Sequence, residues 1–158
     1  MPIDPRFVGK RYGPFRYEIG LEKMREFALA VGGGIPSPSF GSIPDDLNPL
    51  FYDENAGKSG PYGSVIAFPT FAVTFAIAPF AAAVSDPELQ INLLMLVHGE
   101  QQFEFFGPMS PGDVVTTTGS ISEIFEKSQK DFLVFVSESK NQKDELLVRA
   151  TWTAVIRR

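Results

Sequence analysis

The sequence predicts an α+β protein in which a curved antiparallel sheet of about five strands wraps around one long, buried central helix. Two observations carry that prediction. The run from Ser64 to Val84 contains no charged side chain, whereas its neighbours are polar or rich in β-formers. From Gln101 to Ile156 the chain alternates apolar and polar residues between turn signals, the pattern of a sheet with one packed and one solvated face. Strands rich in Phe and Val need something to pack against, and the charge-free run is the one apolar element available.

The opening residues, 1 to 19, are punctuated by Pro and Gly and suggest a short strand over Phe15–Ile19. Leu21, Met24, Ala28 and Val31 then recur at helical spacing, and Gly32-Gly33-Gly34 ends the helix. From Ile35 to Gly63 the composition shifts to Pro, Gly, Ser, Asp and Asn. A loop beyond about 12–15 residues in a compact domain is usually functional or disordered. Its interior, Asn48-Pro49-Leu50-Phe51-Tyr52-Asp53, is too aromatic for a linker.

The charge-free run is long enough to span a bilayer, which takes about 20 apolar residues. It is rich in Ala, Ser, Thr and Pro and has no flanking Lys/Arg cluster, so it reads as a buried helix and not as a span. It starts near Pro69, because proline suits the first helical turn. Phe68, at the N-cap position, has no side-chain oxygen for the first-turn N–H groups. Pro79 removes one helical hydrogen bond and clashes with the preceding turn, which predicts a kink or a break into two short helices. Since it is apolar on every face, the helix is expected to be enclosed.

After a turn at Ser85-Asp86-Pro87, Ile91 to His98 begins a run of β-formers. Gln101–Phe106, Val114–Glu126, Phe132–Glu138 and Leu146–Ile156 follow as strands, separated by turns at residues 108–113, 129–131 and 141–144.

All 158 residues read as a single domain without internal repeats. A net charge of −5 with no basic cluster argues against nucleic acid as a partner. The absence of cysteine excludes disulfides, thiolate catalysis and Cys-ligated zinc, and one histidine offers too few ligands for a metal site. No apolar run of signal-peptide type opens the sequence, so a cytoplasmic location is expected.

Taken together, Asp46-Leu47-Asn48-Pro49-Leu50-Phe51-Tyr52-Asp53, Gly63-Ser64-Val65-Ile66-Ala67, Val97-His98-Gly99-Glu100-Gln101-Gln102-Phe103-Glu104-Phe105 and Pro111-Gly112-Asp113 resemble the MaoC-like hot-dog family of (R)-specific enoyl hydratases and 3-hydroxyacyl dehydratases. The resemblance covers about residues 5 to 156 and is nearest to the N-terminal half-domains and non-catalytic subunits of that family. It implies the hot-dog fold, a lyase family of fatty acid metabolism acting on acyl-CoA or acyl-carrier-protein thioesters, no cofactor, and a hot-dog partner subunit in a homo- or heterodimer.

Active members carry Asp-x-Asn-Pro-x-His, whose Asp and His hold the water that adds across C2–C3. Here Asp46 holds the Asp position, but Phe51 stands where the histidine would be. A phenyl ring neither gives nor takes a proton, so the acid–base step lacks a member. Whether the chain is itself an enzyme is thereby left open.

An uncapped helix start at Pro69, Thr70 and Phe71 would still suit a thioester carbonyl; Asn48 and Phe51 on the loop before it are further candidate binding residues, although Phe51 and Tyr52 also read as core or interface packing. This favours a non-catalytic, substrate-binding subunit. Two alternatives remain. A homo-oligomeric thioesterase or divergent hydratase would use His98 with Glu100 or Asp46, since period-two spacing puts His98 and Glu100 on one strand face. An acyl-thioester-binding module would bind without turnover. Asp46 and Asn48 also have an ordinary role as turn-formers beside Pro49, and a lone strand histidine is often structural.

Overall fold

The computed structural model describes residues 2–32 and 47–157. A five-stranded antiparallel sheet is built from β1 (Arg11–Glu18), β2 (Leu96–Phe105), β3 (Val114–Lys127), β4 (Lys130–Lys140) and β5 (Leu146–Arg157), in the spatial order β1-β3-β4-β5-β2. β1 and β2 are therefore the two edges. Helix α1 (Leu21–Gly32) follows the predicted spacing and buries Met24 and Ala28. A short α2 (Glu54–Ser59) lies inside the stretch expected to be irregular, N-capped by Asp53, whose carboxylate accepts from the Ala56 N–H at 2.8 Å.

The central run folds as one helical column in three pieces: a 3-10 turn at Pro69–Ala72, α3 (Val73–Ala76) and α4 (Ala78–Val84). The break predicted from Pro79 falls at Ile77, and Pro79 itself sits in the first turn of α4, where its missing N–H costs nothing. At the break the sheet supplies a hydrogen bond. Ser137 on β4 donates its hydroxyl to the Ala76 carbonyl at 3.0 Å and accepts from the Trp152 indole N–H at 3.1 Å. Trp152 is fully buried and stacks on Phe80 of α4, centroids 5.5 Å apart. Among the described residues no helix is long and apolar enough to cross a membrane.

Enclosure is incomplete, contrary to expectation. Ile77, Ala81 and Thr70 are exposed, and their spacing puts them on one side of the column, away from the sheet. Among the described residues nothing covers the apolar side chains of Ile77 and Ala81 in that stripe.

Each of the four strand pairs has one register shift, and the two in β2 and in the middle of β3 decide which face the later side chains take. On β2, His98 pairs with Ala154 and Glu100 with Thr153, so Gly99 is the extra residue. A side chain at Gly99 would meet a Val155 methyl at 2.8 Å, which is why glycine sits there. On β3, Ile121 pairs with Phe135 and Glu123 with Val134, leaving Ser122 as the extra residue. A bulge shifts every later side chain to the other face.

At the far end of α4 a charged clamp ties β1 to the helix. Lys10 bonds Asp86 at 2.6 Å and also Glu88, while the Tyr12 hydroxyl donates to Asp86 at 2.8 Å. The Lys10 ammonium and then the Tyr12 hydroxyl hold the Asp86 carboxyl below its ordinary range. Burial, reinforced by the Asp86 hydrogen bond, pushes the Tyr12 phenol from 10.0 up to about 12. The two shifts act at opposite ends of the pH scale. Asp86, with a depressed folded pKa, stabilises above the ordinary carboxylate range, and that contribution is lost as pH falls through the folded value. Tyr12, with a raised one, stabilises below pH 10, and that contribution is lost as pH climbs towards about 12. Urea midpoints measured across pH should therefore fall at both extremes. Asp86→Asn should flatten the acid limb and Tyr12→Phe should shrink the alkaline one.

Candidate functional site

The helix start is assembled from three segments. Residues 64–67 run extended between two supports: the Ile66 N–H donates to the Leu50 carbonyl at 3.1 Å, and the Ala67 N–H to the Met109 carbonyl at 2.8 Å. The first bond brings in the 3-10 turn Pro49–Phe51, and the second the turn before β3. Phe51 consequently lies against Phe68, ring centroids 5.0 Å apart and tilted by 57°. Arg25 on α1 fixes the other side of this loop, donating to the Tyr52 carbonyl at 2.9 Å and to Glu54 at 3.3 Å.

Phe68 makes no side-chain cap, as its residue type dictates. Pro69 has no N–H, and the Phe71 N–H closes onto the Phe68 carbonyl at 2.8 Å. That leaves the Thr70 N–H without a partner among the described residues, on an exposed turn. A carbonyl oxygen there would meet one backbone donor and the positive end of the turn's dipole.

Of the residues singled out from sequence, Phe51, Pro69 and Thr70 are thus brought together. Phe71 belongs to the same turn, but its side chain is wholly buried, edge-on to Phe27 at 5.5 Å, so only its backbone faces this corner. Asn48 uses its side-chain oxygen to accept from the Leu50 N–H at 3.0 Å, the local turn role its position beside Pro49 allows. Asp46 lies outside the described residues. None of Asn48, Phe51, Phe68, Pro69 and Thr70 can shuttle a proton near neutral pH.

His98 is not part of this corner. Its ring lies 6.3 Å from Phe80 and 5.8 Å from Trp152. Phe80 is ten residues beyond Thr70, hence about 15 Å along the helical column at 1.5 Å per residue. The expected pairing of His98 with Glu100 is also corrected. The Gly99 bulge leaves His98 on the inner face, opposite buried Ala154, and turns Glu100 to the outer face, opposite Thr153. Two residues of spacing put them on one face only in a regular strand. Glycine within a strand was the available signal for the bulge. Among the described residues no group of three or more His, Cys, Asp or Glu converges as a metal site would require.

A five-stranded antiparallel sheet curled over one helical column is the hot-dog fold, the scaffold of MaoC-like hydratases and dehydratases. It superimposes on the C-terminally truncated HadBC (3R-hydroxyacyl-ACP dehydratase) complex from Mycobacterium tuberculosis with a TM-score of 0.76, at 23% identity over 98% of this chain and 99% of that one. The (R)-hydratase from A. caviae involved in PHA biosynthesis shares the fold at a TM-score of 0.67, with 16% identity over 96% of each chain. The chain belongs to the FAS1-like dehydratase domain region family, which its residues 6–150 match. Among its relatives is a UPF0336 protein of Saccharopolyspora erythraea, 35% identical over 158 residues, covering 99% of this chain and 93% of the relative.

Proposed function

We propose that this chain is the non-catalytic, substrate-binding subunit of a heteromeric (R)-specific enoyl-thioester hydratase, equally a 3-hydroxyacyl-thioester dehydratase in the reverse direction. The observation that carries the reading is Phe51. In the position where hydratases of this family place a histidine, this chain has a phenyl ring packed on Phe68 at the start of the central helix. A site that keeps its scaffold but loses its proton-transfer group suits holding an acyl-CoA or acyl-carrier-protein thioester, not turning it over. The reaction adds water across C2–C3 of the acyl chain, and both its base and its acid would come from the partner subunit.

Two features support a partner of the same fold. Among the described residues edge strand β2 has an unpaired side, and the central column leaves a stripe at Ile77 and Ala81 open. Leu93 and Leu94, just before β2, are 54% and 93% exposed, an arrangement that burial against a partner would relieve. Use of His98 with Glu100 as an acid–base couple within one chain is disfavoured, because the two lie on opposite faces of the sheet.

The test is co-expression with a hot-dog chain that retains Asp-x-Asn-Pro-x-His, the first choice being one encoded in the adjacent reading frame. A stable complex that hydrates a crotonyl thioester, where this chain alone does not, is the expected result. Failure to associate, or turnover by this chain alone at the rate of the mixture, would sink the proposal.

A further inference from the structure

The outer face of the sheet departs from the polar surface that alternation provides elsewhere. Up to Ile121 the odd-numbered residues of β3 point inward, a pattern that would bury residue 125. The extra residue at Ser122 reverses the sense: Ile124 packs inward, while Phe125 turns outward and pairs with Phe132 of β4. The two rings stack almost parallel, centroids 4.8 Å apart and 5° from coplanar, and Phe125 is 41% exposed. The two rings line an open hollow of about 780 Å³ together with Val134 and Thr153, and Glu123, Lys127 and Lys130 stand at its wall. Bulges commonly serve to re-aim a side chain, and here one has moved a phenyl ring from core to surface.

Charge is distributed around the ring with opposite signs on its two sides. Along β3 the outward residues read Glu123, Phe125, Lys127, each about 7 Å from the next at the rise of a strand. Neither Glu123 nor Lys127 forms an ion pair among the described residues. An acid, an aromatic ring and a base in a row are self-complementary under a twofold axis through the ring, because reversing the row places Glu123 opposite the other copy's Lys127. In the same arrangement the two Phe125 rings meet across the axis, a reciprocal contact of the kind closed dimers make.

We propose that this face is a docking surface for a second copy of the same chain, with the outer sheets packed face to face about a twofold axis near Phe125. It is distinct from the β2 edge and the helix stripe, which lie at the border and on the other face of the sheet. Association through one leaves the other free, so a pair formed through β2 could assemble further through its outer faces.

The test is a charge swap on the full-length chain, followed by sedimentation equilibrium over a range of concentrations. Glu123→Lys and Lys127→Glu each set like charges opposite one another twice per interface and should weaken self-association by about tenfold. The double variant Glu123→Lys/Lys127→Glu restores the pairing in reversed sense and should return association to the parental level. Far-UV circular dichroism of all four proteins checks that they are folded. Because β2 is untouched, association through that edge contributes equally to all four and cancels in the comparison. Four indistinguishable association curves would overturn the proposal, as would a double variant that associates no better than the single ones.

Discussion

Trp152→Ala is expected to cost about 3–5 kcal/mol of folding stability, the range for truncating a large aromatic in a packed core. The indole is fully buried, stacked on Phe80 at 5.5 Å and met edge-on by Phe103 at 5.9 Å. Its removal separates the central helix from β5 and opens a cavity that neighbours from three elements would have to fill. The polar part of the loss is smaller. Ser137 keeps its bond to the Ala76 carbonyl when the indole goes, so that carbonyl stays satisfied and only the serine oxygen loses a donor.

Ser137→Ala makes the opposite cut, leaving both the Ala76 carbonyl and the Trp152 N–H without this partner in a dry place, at about 1–3 kcal/mol. The two changes share a network, so the double variant should lose less than the sum. Urea midpoints at unchanged m-value are the measurement, followed by circular dichroism because Trp152 is the chain's one tryptophan. A Trp152→Ala protein within 1 kcal/mol of the parent would contradict the packing described here.

The same core explains which parts of the fold were readable in advance. Helix α1 announced itself through Leu21, Met24 and Ala28 at helical spacing, and Pro79 placed the central break within two residues of where it occurs. Both are local signals, set by one turn of backbone. The bulges at Gly99 and Ser122 were not anticipated, and they decide which face Glu100 and Phe125 occupy. Register is a property of two strands together, so a single strand's alternation cannot reveal where one of them gains a residue. Enclosure of the helix failed for a related reason: an apolar surface at Ile77 and Ala81 says that something covers it, but not that the cover belongs to the same chain.

At the candidate site the phenyl ring at Phe51, where the family resemblance implies a histidine, was legible from the sequence. Its packing on Phe68 was not, because that depends on residues 64–67 bridging two turns that are far apart in sequence.

Gly57→Ala should be the most informative single change near the site, because two effects of opposite sign compete there. Gly57 lies within α2, where alanine is normally the better helix former by up to about 1 kcal/mol. A methyl at this position, however, would stand 2.3 Å from the Val65 nitrogen and 2.6 Å from the Ser64 carbonyl carbon. Both are backbone atoms of the extended segment leading to the helix start, and neither can rotate aside. Relief requires α2 to move away from residues 64–65, an overpacking cost of about 1–3 kcal/mol that outweighs the propensity gain.

The displacement would not stay local. Asp53 both caps α2 and follows the Phe51 turn by two residues, and Ile66 is bonded back to Leu50 within that turn. Pushing α2 outward therefore shifts Phe51 relative to Phe68, which near-UV circular dichroism should register as an altered aromatic signal. Gly20→Ala is the control: a methyl there meets nothing within 4 Å and requires no unusual backbone, so its effect is confined to the weaker N-cap alanine makes at the start of α1, less than about 1 kcal/mol. In the reconstituted complex, Gly57→Ala should weaken thioester binding while Gly20→Ala leaves it unchanged. Equal stability for the two variants would mean that α2 does not press on residues 64–65, and that the geometry at the helix start is set by something other than this contact.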